Sequence, residues 1–569
     1  MTRGFLVLSL FLLANAAAAV GPRVDIVIGE KATSLEKQAA QDIAADLKQI
    51  YDADVRIETA APEGAANVIF LGSLETNEET KKLIAENWPK LSAVGHVIKT
   101  IQHRGKRVLF IGGGSQRAAY WAAAEYSHEL GVRTMLYGNL YPVAPKPFTT
   151  DGFDTVIDSE TPKHAGWGEE DPFPTGYTSW GIADHKRLLR QLSRMKFDTL
   201  YFELRSWQPF VHFEIDGIGK RTGVLWYGWK FPVSGDTAGR SAFQGAKHFE
   251  NANIPSNLSY DERIQAGKKL LSEIIDEAHS RGMTIDLCTS PMELPKEFAP
   301  ILTGSEKVIE PVELTLRSTE KRVRDSVLTR YETAQMNAYR TAYPSVESFS
   351  ASSEMPLRPV RTNFLVCDIN FNAYHRGRQV FGKSLTLEEA CRDLVTPVCG
   401  EGVDSSVAKA LRQIDDATTF TLKNDRFFNM PGSDMILKHY ASSDPPPEWW
   451  SKVRGSYLGA MNDMYRANSR AREGGRSYTL YLARRCEFGY EYMNCVEATR
   501  KSGIAKSKKD TAEQRAQLEK AIESMNAACS ALAAVARDQS DRGMIAVCNE
   551  FGYKALQKEL EKLDGEEGK

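Results

Sequence analysis

The sequence predicts an α/β multidomain fold: a small α+β block, a (β/α) barrel of the TIM type that is short of strands, and a helical C-terminal region. Three observations predict it. Apolar runs of strand length alternate with amphipathic helical stretches between Thr161 and Glu354, the order that builds a parallel sheet. From Thr386 onward apolar residues recur almost wholly at helical spacing. At 569 residues, 42% hydrophobic and 26% charged, the chain has the length of two or three domains and the composition of a globular protein with sizeable cores. The expected divisions are a leader at 1–19, the α+β block at 20–158, the barrel-like region at 159–385 and the helical region at 386–569.

Met1-Thr2-Arg3-Gly4 is a short basic start, and Phe5–Leu13 is an apolar run too short to span a bilayer. Ala14-Asn15-Ala16-Ala17-Ala18-Ala19 then supplies small residues for cleavage. This reads as a secretory leader cut near Ala19, and it predicts a secreted or periplasmic chain with no membrane attachment afterwards. Export permits disulfides, yet all eight cysteines fall between Cys288 and Cys548 and none forms a Cys-x-x-Cys pair. Cys391 and Cys529 occupy apolar helical positions and read as small core residues. No metal, nucleotide or flavin signature is present, so no cofactor is expected. The formal net charge of −2 gives no case for nucleic acid as partner; a neutral sugar or mixed polar ligand fits it.

Val24–Gly29 alternates as a strand, and Ser34 is the expected cap of a helix carrying Leu35, Ala39, Ile43 and Leu47 on one face. Val55–Thr59 and Asn67–Leu71 read as further strands, and Val97–Ile101 with Arg107–Ile111 as a hairpin. Gly112-Gly113-Gly114-Ser115 lacks the Gly-Lys-Ser/Thr ending of a phosphate loop and reads as a strand-to-helix turn. Arg133–Leu136 gives another strand. Lys163–Glu170 then supplies the first barrel strand and its loop, and Phe197–Leu204 the second after a helix over Asp184–Met195. Ser259-Tyr260-Asp261-Glu262 is a capping box opening a helix with Ile264, Leu271, Ile274 and Ala278 inward. Met283–Cys288 is the third strand, and a helix around Val323–Ala342 leads to the fourth, which ends at Glu354. A last apolar run, Asn363–Ile369, is expected to close the sheet and to end in Asp368 and Asn370. Thr386-Leu387-Glu388-Glu389 is another capping box, with Ala390, Leu394 and Val395 buried. Val453, Tyr457, Met461 and Met464, then Leu518, Ile522, Met525, Cys529 and Leu532, form stripes of bundle core.

Chemistry concentrates where the predicted strands end, because (β/α) barrels build their sites at that edge. Glu354 and Asp368 lie there, and Glu203 and Glu169 stand near the ends of two earlier strands. Paired carboxylates suit acid/base work on sugars. Asp368 reads equally as a helix cap or a partner of Arg376 or Arg378. Arg205, His375 and Arg378 are candidates for holding hydroxyls or a carboxylate, with a structural histidine as the other reading of His375. The insert Arg205–Leu258 carries Trp207, Trp226 and Trp229, as sugar-stacking platforms or as the insert's own core.

Three stretches together carry a likeness: Val24–Tyr141 with its glycine turn and Leu130-Gly131-Val132-Arg133; Phe349-Ser350-Ala351-Ser352-Ser353-Glu354-Met355-Pro356; and Phe371-Asn372-Ala373-Tyr374-His375-Arg376-Gly377-Arg378 followed by Ser384–Ala390. The chain resembles the α-glucuronidase family of glycoside hydrolases and, more loosely, the β-hexosaminidases that share its N-terminal domain type. The resemblance implies that Glu354 is a general acid and that Asn372, Tyr374, His375 and Arg378 lie on a segment leaving the barrel beside the substrate. Trp167 and Glu169, on the expected first strand and its loop, join Arg205, Trp207, Trp226 and Trp229 as substrate-binding candidates. It implies hydrolysis of a plant or algal type polysaccharide or oligosaccharide, with a carbohydrate-binding protein derived from such an enzyme as the alternative. Two departures stand out. Ser350 occupies the place of the family's carboxylate-binding lysine. The barrel units that hold the family's general base are absent between Glu354 and Cys367, which leaves Asp368, Glu203 and Glu169 to face Glu354.

Overall fold

The computed structural model describes residues 21–567 except 104, 160–163, 170–174, 226–229, 290–292, 302–306, 310–312, 317–328, 352–368, 383, 426–427 and 429–435. The leader 1–19 and the run 363–368 therefore lie outside the described residues. The fold is a mixed helical and sheet multidomain architecture with a helical C-terminal region.

The first sheet comes from the run β1 (Arg23–Val27), α1 (Ser34–Tyr51), β2 (Asp54–Glu58), β3 (Val68–Leu71), α2 (Glu78–Ile84), β4 (His96–His103), β5 (Lys106–Gly113), α3 (Gln116–Glu129), a separate small hairpin of β6 (Arg133–Met135) and β7 (Gly138–Leu140), and β8 (Asp154–Ile157). Its order is β2-β1-β3-β5-β4-β8, parallel except around β4. Val24 and Ile26 of β1 pack under Leu35, Ala39, Ile43 and Leu47 of α1 and Tyr120 and Trp121 of α3, while Val27 joins Phe70 and Phe110 on the opposite face. Thr33, and not Ser34, caps α1. Its hydroxyl accepts from the Glu36 N–H while the Glu36 carboxylate accepts from the Thr33 N–H. Glu36 lies three residues beyond Thr33, which completes this reciprocal pair; from Ser34 the third residue is Lys37, which cannot. The glycine turn reflects close backbone approach: a Cβ on Gly112 would lie 2.1 Å from the Gly72 carbonyl oxygen, and one on Gly114 2.0 Å from that of Ser92.

Next come β9 (Gly166–Glu169), α4 (Ile182–Arg194), β10 (Thr199–Leu204), two short hairpins in the insert, β11 (Glu214–Ile215) with β12 (Ile218–Gly219) and β13 (Phe231–Pro232) with β14 (His248–Phe249), then α5 (Tyr260–Ser280) and β15 (Thr284–Thr289). A small antiparallel sheet of β16 (Glu293–Pro295), β17 (Lys307–Ile309) and β18 (Glu313–Leu316) precedes α6 (Thr329–Ala342) and β19 (Ser348–Ala351). Strands β9, β10, β15 and β19 form one parallel sheet in consecutive order, each joined to the next through a helix. Among the described residues this sheet has four strands, about half of a closed (β/α) barrel. Leu200, Phe202, Leu204, Ile285 and Leu287 are buried with Leu188, Leu189 and Leu192 of α4 and Leu271, Ile274 and Ala278 of α5. The alternate residues Tyr201, Glu203, Asp286, Cys288 and Ser350 belong to the other face. There the Ser350 hydroxyl donates to Asp286 at 2.9 Å. A closed barrel would fill that face with Val, Ile and Leu.

Ile369 and Asn370 do not end a strand. They open α7 (Ile369–Arg378). Phe371, Tyr374 and Arg378 recur at helical spacing and Phe371, Ala373 and Tyr374 are buried together, so packing on one helical face decides the conformation. The helical region follows as α8 (Leu387–Cys399), α9 (Asp404–Asn424), α10 (Glu448–Arg470), α11 (Glu473–Ser507), α12 (Thr511–Ala533), α13 (Gln539–Val547) and α14 (Lys554–Glu567). Thr386 caps α8 through the expected box with Glu389, and Ser259 caps α5 with Glu262. Ala390, Leu394, Val395, Val453, Tyr457, Met464, Leu518, Met525, Cys529 and Leu532 are buried as their spacing predicts, with Met461 and Ile522 at the margin. The seven described cysteines are free and buried. No helix among the described residues is long and apolar enough to cross a membrane.

Candidate functional site

The carboxyl edge of the parallel sheet collects the ends of four strands. Glu203 is the penultimate residue of β10 and stands in register with Cys288 of β15, which pairs in turn with Ser350 of β19. Glu169 closes β9 beside Phe202. Ala351 ends β19 three residues before Glu354. Glu354 itself, Asp368, Trp226 and Trp229 lie outside the described residues.

Glu203 is nearly buried, its side chain 11% exposed, and its Oε1 lies 3.0 Å from Nη2 of Arg205. The Tyr177 hydroxyl donates to the Glu203 carbonyl, and the Arg205 N–H donates to Gln208 Oε1 at 2.9 Å. The loop beyond is built over one cation. Lys220 is fully buried, its Nζ donating to the carbonyls of Gln208 and Val211. Burial pulls this ammonium down to about 7, against the negative charge of Glu297, which pulls it up. Trp207 is buried in the same loop. The strand end therefore presents an ion pair on a stiff support.

Further along the sequence, the α7 candidates Tyr374 and Arg378 belong to a largely buried polar network. The Tyr374 hydroxyl donates to Asp393 Oδ2 at 2.7 Å and lies 3.1 Å from Nε2 of His128. Nη1 of Arg378 donates to both oxygens of Glu125 at 3.0 and 2.7 Å, and Lys196 reaches the same carboxylate at 2.7 Å. Burial alone would raise Glu125, yet the charges of Lys196 and Arg378 hold it well below the usual carboxylate range. Burial also works against Asp393, which His128, Arg133 and Arg378 keep far lower than usual. His128 is drawn down to about 4 by burial and by the two arginines, Arg133 and Arg378. His375 meets the Leu385 carbonyl at 3.0 Å, and Asn372 is half-buried on the same helix.

A cavity of about 120 Å³ opens between the β6–β7 turn, the edge strand β9, the start of α4, α11 and the start of α13. Trp167 lines it beside residues that sequence reading did not select: Trp180, Asp184, Arg187, Tyr481, Arg485, Arg537 and Asp541. The one signal available for them was Asp538-x-x-Asp541, a helix opening in which Asp538 accepts from the Asp541 N–H at 3.0 Å. Among the described residues no group of three or more His, Cys, Asp or Glu side chains is placed to hold a metal ion.

No protein-family model matches the sequence, and a search of curated proteins finds no match. Solved structures that the fold resembles are glycoside hydrolases. A family GH115 4-O-methyl-α-glucuronidase with specificity for decorated arabinogalactans is 11% identical, covering 90% of this chain and 78% of that one, with a TM-score of 0.44. A GH138 enzyme targeting pectin rhamnogalacturonan II is 11% identical over 96% of this chain and 99% of that one, at 0.42. A mutant β-hexosaminidase of Streptomyces plicatus, in complex with its product GlcNAc, is 12% identical over 49% of this chain and 44% of that one, at 0.28. Likeness at this depth assigns neither substrate nor catalytic residues to this chain.

Proposed function

We propose that the chain is a glycoside hydrolase-like protein that acts on a polysaccharide or oligosaccharide by carboxylate acid/base catalysis at the carboxyl edge of its parallel sheet. One observation carries the reading. Consecutive parallel β/α units bring Glu203 and the segment leading to Glu354 to the same edge, and the face that carries Glu203 is polar where a filled barrel would be aliphatic. In this reading Glu354 protonates the leaving oxygen. An opposing carboxylate activates water, at the roughly 6.5–9.5 Å separation of inverting enzymes. Glu203, paired with Arg205, is suited to the base role, since a carboxylate beside a guanidinium polarises water better than it donates a proton. Asp368 is the other candidate for that role. Glu169, Arg205, Trp226, Trp229, Asn372 and His375 remain the proposed substrate contacts, whereas Trp207 is buried, Tyr374 and Arg378 are engaged by protein partners, and Trp167 lines the cavity beside β9. The proposal includes a leader cut near Ala19, delivery beyond the inner membrane, and the domain divisions at 158 and 385.

The test is release of sugar from aryl glycosides and from pectic and arabinogalactan oligosaccharides. Glu354→Gln is expected to lose about 10²–10⁴-fold in rate, and Glu203→Gln a comparable factor if it is the base. Equal rates for wild type and Glu354→Gln remove Glu354 from the mechanism. The second reading is a carbohydrate-binding protein without turnover. It is favoured by the direct Glu203–Arg205 pair, which leaves one carboxylate already engaged by protein; saturable oligosaccharide binding with no product would select it.

A further inference from the structure

The cavity beside β9 has the composition of a ligand site and plays no part in the strand-end chemistry. Its charges come as a balanced set: Arg187, Arg485 and Arg537 against Asp184, Asp538 and Asp541. Two of the pairs are made. Arg187 donates to Asp184 at 2.7 Å, and Arg485 donates to Asp541 at 3.0 Å, where the Tyr481 hydroxyl donates too at 2.9 Å. Arg537 is held differently. Its guanidinium lies between the rings of Tyr137 and Tyr481, 3.7 and 4.1 Å from their centroids, and Nη1 is buried without a hydrogen-bond partner. Trp167 and Trp180 add two apolar walls, and Trp180 is fixed by its Nε1–H donating to Ser540 Oγ at 2.7 Å.

We propose that this cavity is a second carbohydrate site, separate from the strand-end carboxylates, which takes a single neutral sugar ring. Three features of the wall select that ligand class. Aromatic rings offer flat apolar surface to the C–H face of a pyranose. Arginine–aspartate pairs present donor and acceptor side by side, the pattern that vicinal hydroxyls satisfy. The balanced charge gives no net attraction for an anion. Size limits the occupant to one ring: at about 10–15 Å³ per water-sized position, the cavity holds on the order of ten such positions.

The experiment uses the full chain and reads binding. Methyl glycosides of glucose, galactose, xylose and rhamnose, with glucuronate beside them, are titrated while following tryptophan fluorescence and heat, since Trp167 and Trp180 line the cavity. At least one neutral glycoside is expected to bind saturably and more tightly than glucuronate. Arg187→Met is expected to weaken it at least tenfold; Arg187 is part-exposed, and a thermal melt confirms folding. Asp184→Asn serves as the second variant and is expected to weaken it severalfold, while Glu203→Gln leaves it unchanged. Failure of every neutral glycoside to bind, tighter binding of glucuronate, or binding lost in Glu203→Gln but kept in both cavity variants overturns the proposal. The outcome is independent of sugar release, so loss of the hydrolase reading would leave it standing.

Discussion

Two polar regions of this molecule are built from similar residues and close in opposite ways. The network joining α3, α7 and α8 sets Glu125, His128, Arg133, Lys196, Tyr374, Arg378 and Asp393 against one another, and each charged head meets a protein partner. The inner face of the four-stranded sheet also carries Tyr201, Glu203, Asp286 and Ser350, but Tyr201, Asp286 and Ser350 are only half-buried. The first arrangement spends its hydrogen bonds on holding elements together. The second keeps polar groups within reach of something outside the protein. Strongly shifted titration marks the first, so a displaced pKa there is a sign of locking, and geometry is the better guide to a site.

Removing one cation from the network is the sharpest way to break this contrast. Arg378→Met leaves Glu125 buried with Lys196 alone and is expected to cost about 3–5 kcal/mol of stability, read as a large fall in the denaturant midpoint. Sugar release per folded molecule should hardly move. If instead the melt is unchanged and the Michaelis constant rises tenfold, Arg378 is a substrate contact and the contrast fails.

The network was hidden in the sequence for a reason that applies to the cavity as well. Capping boxes at Ser259 and Thr386 and the stripes Val453–Met464 and Leu518–Leu532 are local patterns, and local spacing fixes them. The parallel order of four β/α units was legible in the same way. Glu125 and Arg378, by contrast, are 253 positions apart, and Trp180 and Ser540 are 360 apart. Nothing in the spacing near Tyr374 distinguishes a side chain turned to a neighbouring helix from one turned to a ligand. The run ending at Asn370 misled because Phe371, Tyr374 and Arg378 decide its conformation only once they pack.

Acid is expected to weaken the network. His128 is held at about 4 by burial and by Arg133 and Arg378, below the usual value near 6.5 for a free imidazole. Between those values the unfolded chain binds a proton that the folded chain refuses. Stability is then fully present above about 6.5 and is lost as pH falls toward 4. Glu125 and Asp393, both held low, push in the same direction on the acid side. Asp541, raised to about 6 by burial and by Asp538, opposes them. The His128 share is at most about 3 kcal/mol. His128→Gln is expected to flatten the fall in melting temperature between pH 6.5 and 4 relative to wild type, whatever its effect at pH 7. Parallel profiles for the two proteins would mean that His128 already carries its proton in the folded state.

The smallest effect tests the open side. Ser350→Ala deletes the 2.9 Å hydrogen bond to Asp286, a change of the same kind as breaking a network contact but on a half-buried face. Water reaches Asp286 in the variant, so the lost bond is replaced and the cost should be only about 0.5–1 kcal/mol. The same substitution should alter oligosaccharide affinity or turnover by more than its stability cost explains, because this face lies under the proposed bond-cleaving edge. A loss above about 3 kcal/mol would show that the face is as sealed as the network. The polar residues of the half-barrel would then be filling a core, and the carboxyl edge would lose its claim to be a site.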